Sequence, residues 1–310
     1  MLLKNNSRRN FLKLSSGLFL APLSRFSFVN KKYKPLLSFS TLGCPDWSFE
    51  EIVAFASKNN YDGIEIRGIQ RELDLTKCAA FKNDEAIKKS LQMMYDSSLN
   101  FSDLGSSAAL HFPEGEERQK NIDEAKRFID LAQKISCPYI RVFPNDFPKD
   151  QDKEITKSLI ASGLLELGDY AKDHKVTVLL ESHGAVVYTE DLLQIMQAAE
   201  HTNVGMVWDA YIMWSVTKEP PAKVYEALHK YIKHTHIKDA KLIHGKEQYV
   251  LLGAGDSAIF EAIDVLAKNN YKGYYSFEWE KLWHPEIDDP AIAIADYPKA
   301  MQSHFAKLNF

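Results

Sequence analysis

From about Pro35 onward, short apolar runs rich in Val, Ile, Leu, Phe and Tyr alternate with stretches whose apolar residues recur every three to four positions. The first kind predicts strands at 36–43, 63–67, 100–104, 139–143, 176–181, 204–209, 232–237 and 274–278. The second predicts helices at 48–60, 84–97, 116–134, 152–173, 189–200, 221–228, 258–269 and 290–307. Ser48 is placed as an N-cap, with Glu51 in the capping-box position. Two breakers of similar sequence, Asn59-Asn60-Tyr-Asp-Gly63 and Asn269-Asn270-Tyr-Lys-Gly273, each lead into a strand. A polar loop is expected after 232–237, before Leu252-Gly-Ala-Gly-Asp256.

Eight βα units without a long structureless linker predict a single (β/α)8 TIM barrel over residues 35–310. An open doubly wound sheet is the competing α/β arrangement. It ordinarily carries a Gly-rich phosphate turn after its first strand, whereas Thr41-Leu-Gly-Cys-Pro-Asp-Trp47 holds no such turn. The glycines of Leu252–Asp256 follow a loop instead of a strand, so they are not read as a dinucleotide fingerprint.

Residues 1–30 read as a targeting segment preceding the fold. Ser7-Arg8-Arg9-Asn10-Phe11-Leu12-Lys13 and the short apolar stretch after it resemble a bacterial twin-arginine export signal. The apolar run is too short to span a bilayer stably, and no cysteine closes it for a lipid anchor, so no stable membrane anchor is expected. The expectation is a periplasmic protein exported folded by the twin-arginine route.

Composition narrows the function classes. With 45% hydrophobic and 26% charged residues the chain is ordinary globular protein. A formal net charge of −4 without a long basic run argues against a nucleic-acid groove. Cys44, Cys78 and Cys137 have no metal-ligand spacing and read as small buried hydrophobes.

The chemistry lies at strand ends. Glu181, Asp209, His236 and Glu278 close four successive predicted strands, each with a side chain that binds metal. In a closed parallel barrel such positions converge on one rim, where this fold does its chemistry. Three carboxylates and one imidazole suit one divalent ion: Mn²⁺, Mg²⁺, Co²⁺ or Zn²⁺. Because side chains two apart share a strand face, His183, Tyr211, Lys238 (with His234 below) and Glu280 follow the four candidates inward. Glu65 and Arg67 on the second strand and Arg141 on the fourth share that direction. His183, Lys238, Glu280, Arg67 and Arg141 are therefore candidate substrate contacts, the arginines as a clamp on a substrate oxygen or carboxylate or as partners of a neighbouring carboxylate. Asp239 fits an orienting role or a helix N-cap equally. Trp47 and Trp283 follow the first and last strands and suit the apolar face of a sugar, whereas parity turns Trp208 and Trp279 toward the helices.

Asp62-Gly-Ile-Glu-Ile-Arg67, Leu180-Glu-Ser-His-Gly184, Trp208-Asp209, His234-Thr-His-Ile-Lys-Asp239, Leu252-Gly-Ala-Gly-Asp256 and Phe277-Glu-Trp-Glu-Lys281 together resemble the xylose-isomerase-like barrel superfamily, in particular its sugar phosphate isomerases/epimerases. The resemblance covers nearly everything after the signal. It implies that Glu181, Asp209, His236 and Glu278 hold one divalent metal, and that Glu181 and Glu278 act as acid and base on opposite sides of the substrate. Deprotonation beside a metal-bound ketone through an enediolate is the implied chemistry. Ketose 3-epimerases of this family carry a glutamate, a histidine and an arginine where this chain has Val187, Ile212 and Leu242, so a free ketose is not the expected substrate. The segment Glu278-Trp-Glu-Lys-Leu-Trp-His-Pro-Glu286 resembles exported relatives associated with 3-keto-glycosides.

The sequence thus predicts a metal-dependent sugar isomerase or epimerase with a small carbohydrate substrate; a homo-oligomer is compatible with it. A periplasmic lyase or epimerase of 3-keto-glycosides is the first alternative, and a non-catalytic sugar-binding barrel is the second. An apurinic-site endonuclease shares the barrel but needs a multi-metal cluster with more histidines.

Overall fold

The structure, a computed structural model, describes residues 33–308; the export-signal segment lies outside the described residues. In chain order the strands are β1 Leu36–Phe39, β2 Gly63–Ile66, β3 Asn100–Ala109, β4 Tyr139–Phe143, β5 Thr177–Glu181, β6 Val204–Asp209, β7 Ile232–Ile237, β8 Asp239–Ile243, β9 Lys246–Val250 and β10 Tyr274–Phe277. Between them run α1 Phe49–Lys58, α2 Asp84–Asp96, α3 Glu116–Lys134, α4 Lys153–Lys172, α5 Thr189–Ala198, α6 Ala210–Thr217, α7 Pro221–Leu228 and α8 Ile259–Lys268, with α9 Pro290–Lys307 last.

Eight strands make one parallel sheet in the order β1-β10-β7-β6-β5-β4-β3-β2. Its two ends meet. Ser40, just past β1, forms a parallel bridge to Glu65 of β2, and the Asp62 amide donates to the Leu37 carbonyl at 2.8 Å. This is a TIM barrel, nearly closed, as the alternation of strand and helix patterns predicts. No described helix is long and apolar enough to cross a membrane.

Local chemistry accounts for the boundaries. The Glu51 amide donates to Ser48 Oγ and the Ser48 amide to Glu51 Oε2, the reciprocal capping box that starts α1. α1 and α8 both stop on an asparagine pair whose second member takes positive φ, Asn60 at 59° and Asn270 at 57°. That turn lets the Tyr61 amide reach the Ala56 carbonyl and the Tyr271 amide reach Leu266, so the two similar breakers build the same helix stop.

Three expectations need correction. The first strand ends at Phe39, and its predicted tail is a 3₁₀ turn, Thr41–Gly43, pinned where Thr41 Oγ1 donates to the Gly68 carbonyl. The third strand runs on to Ala109, because Asp103, Gly105 and Ser106 break the apolar run yet face buried surroundings. The polar loop after β7 is an antiparallel hairpin, β8–β9, and the unpredicted α6 starts on Asp209.

Asp239 is neither a helix cap nor a ligand orienter. Its carboxylate accepts from the amides of Gly253 and Gly255 at 3.0 Å each and from Ser257 Oγ at 2.6 Å, stapling the Gly-rich loop beneath the hairpin. A Cβ at Gly255 would lie 2.0 Å from Asp239 Oδ1 and 2.5 Å from the Ala240 carbonyl. Gly255→Ala is therefore expected to destabilise the barrel by about 1–3 kcal/mol through overpacking. Thermal unfolding should show this as a Tm lower by roughly 2–10 °C.

Candidate metal centre

β5, β6, β7 and β10 are consecutive neighbours in the sheet apart from order in the chain, and each delivers one donor at its C-terminal end. The register pairs Asp209 with His236, and Ser276 with His236. The Glu278 amide donates to the Ile237 carbonyl, carrying the ladder one residue beyond β10. Glu181, Asp209, His236 and Glu278 each offer one ligand atom, and these atoms all lie within 4.8 Å of one another, all buried.

Each donor is held from behind. Asp209 caps α6 through Oδ1, which accepts from the Ile212 amide at 2.8 Å, while its own amide donates to Ser182 Oγ. His236 turns Nδ1 toward Glu181 Oε1 and Glu278 Oε1, 3.3 Å from each. Its Nε2–H donates to Glu65 Oε2 at 3.1 Å. The same oxygen accepts from His234 Nε2 at 2.9 Å and Ser276 Oγ at 2.8 Å. A carboxylate behind a ligating imidazole fixes the ring and its tautomer and makes the free nitrogen a better donor. Glu65, His234 and His236 also cluster closely enough to hold an ion. With one Glu65 oxygen already taking three hydrogen bonds, that trio reads as the support of His236.

Electrostatics test whether a cation fits. Burial by itself disfavours the charged forms of carboxyls and imidazoles, and it does so for Glu181, Asp209 and His236. Burial pushes Asp209 up to about 7, with Glu278 and Glu181 adding to it against Lys238 and His236. Burial also opposes ionisation of Glu181, but the Arg141 guanidinium and His236 outweigh it and hold that carboxyl well below the usual range. For His236, the surrounding Glu278, Glu65 and Glu181 overcome burial and raise the imidazole well above its ordinary value. The buried Nδ1 of His236 has no hydrogen-bond partner in spite of its two carboxylate neighbours. An imidazole nitrogen and three carboxylate oxygens converge on one point with more negative charge than Arg141 and Lys238 balance. That donor set fits a hard or borderline divalent ion.

Lys238 supplies part of the positive charge. Its ammonium lies 2.9 Å from Asp209 Oδ2 and 2.5 Å from both Glu278 Oε2 and Glu280 Oε1. These three carboxylates outweigh burial and keep Lys238 protonated well beyond its ordinary range. Arg141 Nε sits 3.0 Å from Glu181 Oε2, and its guanidinium lies over the Phe143 ring. Arg67, at the end of β2, donates from Nη2 to Ser107 Oγ at 3.0 Å. His183 leans its ring on Phe143 at 4.5 Å and keeps Nδ1 buried without a partner.

The candidate residues thus separate. Lys238, Glu280 and Arg141 touch the four donors or one another's partners, whereas Arg67 and His183 stand beside them with polar atoms to spare. Trp47 rests on Phe55 of α1 at 4.8 Å, and Trp283 is exposed. Trp208 and Trp279 are buried among core residues, as their parity implies. Tyr211 reaches the hairpin, donating to Glu247 Oε2 at 2.6 Å and packing on Tyr249. Glu65 and Asp103 are what sequence reasoning undervalued. Glu65 was visible only as a strand neighbour of Arg67, and Asp103 sits in a stretch too polar to look like a strand. Burial pushes Asp103 up to about 6, with Glu65 adding to the effect and His234 opposing it.

Residues 53–300 match the model of the family described as the xylose isomerase-like TIM barrel. The inosose dehydratase of Clostridium tetani is 29% identical over 196 residues, covering 57% of this chain and 61% of that protein. The 3-dehydroshikimate dehydratase of Bacillus anthracis is 22% identical over 195 residues, covering 62% of this chain and 66% of that protein. The chain therefore spans just under two thirds of the curated relatives it matches. Among solved structures, the IOLI protein with bound zinc superposes at a TM-score of 0.73 with 19% identity, covering 88% of this chain and 99% of that one. On the match of its family model over most of the barrel, this chain belongs to the xylose isomerase-like TIM barrel family.

Proposed function

We propose that this barrel is a divalent-metal-dependent enzyme that moves a proton at the carbon beside the ketone of a sugar-like substrate, as isomerases and epimerases do. The observation carrying the reading is the convergence of Glu181, Asp209, His236 and Glu278 within 4.8 Å at one barrel rim. A bound divalent cation would draw electron density from the ketone and make the neighbouring C–H more acidic.

The chain's own residues supply the rest. Glu181 and Glu278 are the carboxylates that remove and return the proton in this reading. Arg141 and His236 keep Glu181 ionised, the form a base needs. Lys238, protonated and 2.5 Å from Glu278 Oε2, steadies Glu278 and offers an ammonium to a substrate oxygen. His183, with its free buried Nδ1 two residues past Glu181, is the neighbouring group able to accept or donate a hydrogen bond to a hydroxyl. Glu280 shares the Lys238 ammonium and orients it.

A second reading, elimination of water or an aglycone after the same deprotonation, is favoured by two observations. Both curated relatives named above are dehydratases. In addition, the positions where ketose 3-epimerases bear polar residues are here apolar: Val187 is buried, Ile212 packs against the core, and Leu242 is exposed at the hairpin. The twin-arginine pattern supports a periplasmic setting, where 3-keto-glycosides are a fitting substrate class.

Wild-type protein is expected to bind about one equivalent of divalent metal and to exchange a substrate C–H in D₂O. Glu181→Gln should lose most of the metal, and unchanged metal content with unchanged exchange would refute the assignment. Isotope exchange without release of water or aglycone marks an epimerase or isomerase, whereas release marks a lyase. Glu65→Gln, at the carboxylate that supports His236 from behind together with His234 and Ser276, should weaken metal affinity by about 10–100-fold, measured by competition with a chelator. Replacing Arg8 and Arg9 by lysine should strand the protein in the cytoplasm on cell fractionation, while an unaltered distribution would count against export by this route.

A further inference from the structure

We propose that Arg67 and Arg141 form an anion seat beside Glu181 that selects substrates bearing a carboxylate away from the reacting ketone. The inference rests on the enzymatic reading above and adds the charge of the substrate to it.

Arg67 is 5% exposed and Arg141 1% exposed, so both guanidiniums are withdrawn from water. They share one space. A Cβ on Gly105 of β3 would lie 2.7 Å from Arg67 Cδ and 2.8 Å from Arg141 Nη2, so a glycine is what lets the two side chains pass side by side. Their other partners are few. Arg141 has Glu181 and the Ser106 carbonyl, which accepts from Nη1 at 2.9 Å. Arg67 has Ser107 Oγ alone, and its Nη1 is buried with no hydrogen-bond partner. Among the described residues no carboxylate forms an ion pair with Arg67, and the nearby Glu124 is engaged by the Ser107 amide at 2.6 Å.

Glu181, Glu124 and Glu278 act on the Arg67 charge from a distance, yet none of them pairs with it and its Nη1 donor stays unmet. A buried charge with an unmet donor is costly unless a ligand satisfies it. Burial, with the Arg141 charge next, lowers Arg67 to about 10, which still leaves it charged at neutral pH. A planar donor fork of this kind matches a carboxylate. Ser107, the hydrogen-bond partner of Arg67, is exposed near the C-terminal end of β3.

The test compares 5-keto-D-gluconate, whose carboxylate is remote from its ketone, with the neutral ketose D-fructose. Binding is measured by calorimetry on wild type, Arg67→Met and Arg67→Lys, with and without added Mn²⁺. Wild type is expected to bind the keto acid about 10–100-fold more tightly, the range of a charge-assisted hydrogen-bonded pair. The preference should persist without metal, disappear in Arg67→Met and survive in part in Arg67→Lys, with fructose binding changed less than about threefold in each. Equal affinity of wild type for the two compounds overturns the seat, and that comparison needs no variant to fold. A preference that Arg67→Met leaves intact overturns it as well. Loss of the seat leaves deuterium exchange by the wild-type enzyme untouched, so its failure is distinguishable from failure of the enzymatic reading.

Discussion

Everything at the rim depends on how three carboxylates and an imidazole are kept together in a buried space. Like charges a few ångströms apart repel strongly where water is excluded. The barrel meets this with positive charge placed on opposite sides of the group. Arg141 holds Glu181, Lys238 gathers Asp209, Glu278 and Glu280, and Glu65 anchors His236 through Nε2 so that Nδ1 faces the remaining carboxylates. A divalent ion at the convergence point would complete the same balance. The four donors are held in place by the protein alone, which is what a pre-organised metal centre would require.

The fold supplies the rigidity this balance needs. The donors stand on, or one residue beyond, strands of a continuous parallel sheet, and each is tied through its backbone to a neighbouring strand. The loops above the rim are pinned by other means. Asp239 staples the Gly-rich loop, and Tyr211 joins α6 to the hairpin through Glu247. The charges are thus fixed by strands, while the surface that would distinguish substrates is built from the loop and hairpin layer, the usual division of labour in this architecture.

Under the proposed anion seat, substrate charge is where the site would depart from a simple sugar isomerase. Neutral polyols are satisfied by hydrogen bonds from carboxylates, imidazoles and lysines, all of which are here. A second buried guanidinium beside Arg141 adds nothing to that set, and burying it is costly. An anionic partner of the kind proposed would satisfy it.

Much of this was legible in the chain. Strand and helix periods are local properties, so the eight βα units, the capping box of α1 and the paired asparagine stops could be read directly. The four strand-end donors were visible for the same reason: parity along a strand decides which side chains point inward, and barrel closure brings successive strand ends to one rim. What the sequence could not decide were contacts between residues far apart in the chain. Glu65 lies 171 positions from His236, and nothing local marks it as that ring's support. The polar half of β3 looks like a loop until the barrel encloses it. The glycine that lets Arg67 and Arg141 share a space does so only once β2, β3 and β4 are side by side. Periodicity determined which residues face inward; tertiary packing, which sets distance and excludes water, decided which of them became partners and which charge was left unpaired.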